Sequence, residues 1–100
     1  MAIPKSYQEF KSTFDNRAPV GDWPEGLKSL WFAGKGNWEA SHDIAQEMHC
    51  DLGSWIHAYL HREEGDKFNA GYWYRRAKKD YPKISLAEEH REITEYMLSL

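Results

Sequence analysis

The chain of 100 residues holds one cysteine, Cys50, so no internal disulfide can form. A lone thiol fits a reducing compartment, and a cytoplasmic location is expected. Positive charge is not in excess. The net charge of −3 argues against generic affinity for nucleic acid or anionic membrane. No apolar run approaches the roughly 20 residues that span a bilayer. The opening Met-Ala-Ile-Pro-Lys-Ser lacks the apolar core of a signal peptide. Gly34-Lys35-Gly36 lacks the remaining glycine spacing and the Lys-Ser/Thr pair of a phosphate loop, and no serine sits at nucleophile-elbow spacing. No cofactor is expected. Aromatics, by contrast, are abundant. Five Trp, six Tyr and four Phe imply bulky packing, an aromatic-lined surface, or both.

Strand signals are also missing, whereas helix signals recur. The pattern predicts an all-α single domain of about six short helices stacked as antiparallel hairpins. The first covers about Lys5 to Phe14, followed by a loop around Pro19. Asp22 is placed to cap a helix with Pro24 in its first turn, ending near Gly34 to Gly36. Asn37 caps the next, to about His49. The fourth runs from about Leu52 to Glu64 and stops at Gly65. Asp66 caps the fifth, to about Lys79. Ser85 and Glu88 form a capping box for the sixth, with Leu86, His90, Ile93, Met97 and Leu100 as its buried stripe. The expected organisation is residues 1–21 as N-terminal helix and loop, 22–50 and 51–82 as hairpins, and 83–100 as a capping helix.

Gly36-Asn37 and Gly65-Asp66 stand 29 positions apart. The same offset pairs Leu27 with Ile56, Ser29 with Ala58, Leu30 with Tyr59 and Ser41 with Ala70. Small residues therefore meet small residues where helices would cross closely. The segment Asp51 to Pro82 resembles a tetratricopeptide repeat. Ala58 holds the small position of the first helix. Ala70, Tyr74, Ala77 and Pro82 fall at the matching places in and after the second, and Trp55 sits one place late. The unit from Asp22 to Gln46 matches loosely. The string from Trp55 to Asp66, with Asn69-Ala70 and Tyr72 to Ala77, also resembles a small bacterial family of unassigned function and implies no activity. The tetratricopeptide resemblance implies a concave groove that receives a peptide. In the clear unit its walls would be Leu52, Trp55, Tyr59, Arg62 and Glu63. In the loose unit they would be Trp23, Gly26, Leu30, Ala33 and Gly34. The competing reading is that the N-terminal helix fills a groove this short and turns Trp55 and Tyr59 into core.

His57 and His61 fall where the repeat expects apolar contacts. Spacing i, i+4 puts both imidazoles on one helix face, and Glu64 continues it. His42, on the preceding helix, is in a position to approach. Three imidazoles and a carboxylate suit zinc or another divalent metal, or acid–base work near neutral pH. The zincin signature is absent, because Ala58 follows His57 where a Glu is required. The competing reading is a polar pair hydrogen-bonded inside the core. Arg75, Arg76, Lys78, Lys79 and Lys83 read as charges complementing a helix C-terminus, with Glu88, Glu89, Glu92 and Glu95 as expected partners. Cys50, beside His49, reads as an idle thiol. Two functions follow. The first is a small cytosolic helical-repeat module that binds a peptide or protein partner through Trp55, Tyr59, Arg62 and Glu63. The second is a small enzyme, or a ligand- or metal-binding protein, built on a pocket of His57, His61 and Glu64 with His42.

Overall fold

The computed structural model describes residues 3–100; Met1 and Ala2 of the expected N-terminal segment lie outside the described residues. Six α-helices and no strand are found among the described residues: α1 Tyr7–Ser12, α2 Glu25–Gly34, α3 Trp38–Gln46, α4 Asp51–Glu63, α5 Lys67–Arg76 and α6 Leu86–Ser99. One 3₁₀ turn, Thr13–Asp15, follows α1. No helix among the described residues is long and apolar enough to cross a membrane.

The helix ends have local causes. The Asn37 side chain accepts from the Ala40 N–H, and the Asp66 side chain accepts from the Asn69 N–H. Each thereby satisfies a donor that the first turn leaves free. Both preceding glycines lie in the left-handed region, at φ 80° for Gly36 and 88° for Gly65. That geometry lets the Asn37 N–H reach Phe32 O and the Asp66 N–H reach His61 O, both at 2.9 Å, closing the preceding helix. The two turns are the same construction repeated. Ser85 and Glu88 form the capping box of α6.

Several ends differ from expectation. Pro24, not Asp22, occupies the N-cap position of α2, and no side chain caps that helix. Helix α3 ends at Gln46, because Met48 turns back so that its carbonyl lies against Gly53. Helix α5 ends at Arg76, since Lys78 adopts φ 62° and stops the regular winding. Leu100 is 74% exposed and leaves the buried stripe of α6.

Helix α4 packs most extensively on α5, α2 on α3, and α3 on α4. Helix α6 lies against both α2 and α4. As a result every residue of α4 from Leu52 to Leu60 is buried, which an isolated amphipathic helix would not show. One core runs through Phe10, Leu27, Leu30, Trp31, Ile56, Leu60, Tyr74 and Ile93. Where α2 meets α3, the Ser29 hydroxyl donates to Ser41 O at 2.9 Å. At the equivalent positions of the next pair, Ala58 and Ala70 are both fully buried.

Candidate functional site

Burial of α4 on two sides decides between the expected sites. Trp55 is 7% exposed and Tyr59 4%. They do not form an open recognition surface, and that expectation is corrected: the protein's own helices, α6 among them, occupy the side of α4 that the groove would have used. Arg62 is likewise committed. Its Nη1 donates to Glu89 Oε1 at 2.8 Å and its Nη2 to Ile84 O. Of Leu52, Trp55, Tyr59, Arg62 and Glu63, Glu63 alone is exposed. Trp55 Nε1 also donates to Glu89, at 3.1 Å, and Tyr74 Oη does so at 2.6 Å. Glu89 is therefore a core acceptor and does not partner the basic run of α5. Lys78 of that run pairs with Asp51 at 3.5 Å, and Lys79 lies 4.0 Å over the Trp55 ring.

The other face of α4 meets α3 and carries the histidines. His42, His57 and His61 each bring one ring nitrogen into a group lying within 4.8 Å. His42 Nε2 and His57 Nε2 are 2.9 Å apart. His57 and His61, one turn apart on α4, stack at 4.9 Å and 20°. Two tryptophans that sequence reasoning did not assign to the site hold the rings. Trp38 stacks on His42 at 4.7 Å, and its indole N–H donates to Leu60 O at 2.7 Å. Trp73 stacks on His57 at 3.9 Å. The first had a signal, since Trp38 and His42 are i, i+4 on α3. The second lies between Ala70 and Ala77, the small residues of α5 that pack inward.

Burial disfavours the charged form of two of these imidazoles. Burial pushes the His57 pKa down to about 4, and the neighbouring His42 and His61 add to the effect. Burial also lowers His42, again with His61 contributing. Uncharged imidazole is the ligating form. His61 Nδ1 lies 2.6 Å from Glu64 Oε2, with Glu64 at the end of α4. A carboxylate in that place holds the proton on Nδ1 and leaves the Nε2 lone pair free, as outer-shell partners of metal-bound histidines do. A second group, His61, Glu64 and Asp66, also has metal-ligand spacing. Asp66 is already spent there: both its oxygens accept from Asn69, as part of the α5 cap.

A tetrahedral ion would draw the three ring nitrogens, now within 4.8 Å of one another, to an even spacing. Metal–nitrogen bonds of about 2.0–2.1 Å set tetrahedral ligand atoms about 3.4 Å apart. The His42–His57 nitrogens must then part by a few tenths of an ångström, and half-buried His42 has room to give. Cys50 is exposed and stands outside both groups. No protein-family model, curated protein or solved structure matches this chain.

Proposed function

We propose that this chain binds one divalent transition-metal ion through His42, His57 and His61, with Glu64 orienting His61. The observation that carries the reading is the convergence of three ring nitrogens within 4.8 Å, two of them on imidazoles whose charged form burial disfavours. All-nitrogen ligation favours zinc, copper, nickel or cobalt over magnesium or calcium, which prefer oxygen. Three protein ligands leave a further coordination position for water or another ligand, the pattern of reactive rather than purely structural zinc. Cobalt(II) reports the site directly. One equivalent should give the intense visible absorption of a tetrahedral complex in the parent protein. His57→Ala and His42→Ala should show only the weak spectrum of hydrated cobalt. A parent spectrum indistinguishable from free cobalt would remove the reading. The two hairpins α2–α3 and α4–α5, with small residues at equivalent crossings, support a tetratricopeptide-like relation as the frame of this site.

The expectation of a peptide or protein partner is favoured by a different surface. On the outer side of α5, Phe68 is 84% exposed, next to exposed Tyr72 and Arg75. A peptide library selected on the intact protein should yield binders lost in Phe68→Ser. Binders indifferent to that change would count against this second reading.

A further inference from the structure

His57 belongs to two places at once. Its Nε2 faces His42, and its ring also lines a cleft of about 380 Å³ between the end of α3, the start of α4 and α5. Ala45, Met48, Ser54, Trp73 and Arg76 line the same cleft. His57 is only 6% exposed, yet its one hydrogen bond among the described residues is made through Nε2. Among the described residues, Nδ1 has no hydrogen-bond partner and is not sealed from solvent.

The proposed metal site makes that gap specific, and the inference rests on that reading. With an ion on Nε2, the imidazole proton must sit on Nδ1, which becomes a donor and needs an acceptor. Ligating histidines almost always give this proton to a carboxylate, a carbonyl or water. For His61 this partner is Glu64; for His57 none is found among the described residues. Arg76 stands at the same cleft. Its guanidinium lies 5.2 Å from the Trp73 ring centre, and His57 stacks on that ring at 3.9 Å. His57 and Arg76 therefore both meet the Trp73 ring and both line the cleft. Among the described residues Arg76 hydrogen-bonds only Tyr72 Oη, at 3.1 Å, and forms no ion pair.

We infer that the cleft binds a small monocarboxylate, one oxygen accepting from His57 Nδ1 and the other paired with Arg76, and that it binds cooperatively with the metal ion. A single negative charge suits the walls. Arg76 offers a planar fork for a carboxylate. Asp51 also lines the cleft and opposes a dianion, being only partly offset by Lys78 at 3.5 Å. The Ala45 and Met48 side chains and the indole of Trp73 receive an apolar body, so an aromatic acid is favoured over acetate.

Benzoate, titrated into zinc-loaded and metal-free protein and followed by calorimetry and by the amide and indole resonances, tests this. The Ser54 amide and the Trp73 indole N–H should shift. Affinity should be about fivefold or more higher with zinc, the lower end of ordinary coupling between sites, and benzoate should strengthen zinc binding by the same factor. Arg76→Met should abolish benzoate binding and leave zinc affinity in the absence of benzoate unchanged. Unshifted cleft resonances, equal benzoate affinity with and without zinc, or undiminished binding to Arg76→Met would each overturn the inference. The metal reading stands or falls separately on the zinc titration alone: zinc bound without benzoate sinks only the cleft, and benzoate bound without zinc sinks the triad and the coupling.

Discussion

The Glu89 side chain is 1% exposed and receives donors from Trp55, Arg62 and Tyr74. Losing Arg62 leaves a buried acid without its counter-charge, whereas losing the Tyr74 hydroxyl removes one donor and leaves the ion pair in place. Arg62→Met should cost about 3–5 kcal/mol, the range for breaking a buried pair. Tyr74→Phe should cost about 1–3 kcal/mol. Urea midpoints rank the two, and the reverse order would show that the pair does not anchor α6. His90 argues similarly about protons. Its Nε2 lies 2.8 Å from Leu30 O, which can only accept, so Nε2 carries the hydrogen. Nδ1 then accepts from Tyr7 Oη, also at 2.8 Å. Burial lowers the His90 pKa, as it lowers that of His57 to about 4. Unfolded rings take up protons near pH 6.5, whereas these folded rings do so only at lower pH. Metal-free protein should therefore keep constant stability above about pH 7 with respect to these rings. It should lose stability as the pH falls below about 6.5, continuing toward 4 for His57, with a slope of up to about 1.4 kcal/mol per pH unit for that ring and a further loss in the same direction from His90. A flat midpoint between pH 7.5 and 4.5 would contradict this.

At the scale of the element, caps and spacing were the legible part. Asn37, Asp66 and the Ser85–Glu88 box start α3, α5 and α6 because each meets a local donor within three residues. Replacing Ser85 with Ala removes the side-chain half of the box while its own N–H still donates to Glu88, and should cost about 1 kcal/mol in thermal or urea denaturation. No change in stability would mean that packing alone sets the start of α6. Ends set from a distance were not legible. Nothing local announces that Met48 backs onto Gly53, where a Cβ would stand 2.6 Å from Met48 O. The small–large–small pattern of α5 had a physical reading that the packing supports, since Ala70 and Ala77 are buried on either side of Tyr74. Ala70→Leu should overpack the α4 contact and cost about 1–3 kcal/mol; an unchanged urea midpoint would contradict it.

For the whole molecule, what the sequence hides is which side of α4 stays open. An i, i+4 histidine pair is visible in one helix, as is Glu64 one turn on. His42 joins only because α3 packs on α4, and Trp73 only because α5 does. Conversely, Trp55, Tyr59 and Arg62 read as a surface until α6, some 30 residues further on, covers them. A buried acid that collects donors from two other helices has no local pattern, so Glu89 read as one of several surface charges. The central claim is that this packing assembles a metal site from α3 and α4. Zinc calorimetry of the intact protein at pH 7.5 measures it most directly. One ion should bind per chain, with affinity lost in His57→Ala and reduced about 10- to 100-fold in Glu64→Ala, which removes only the partner of a ligand. Absence of zinc binding by the parent, or equal binding by His57→Ala, would contradict the account.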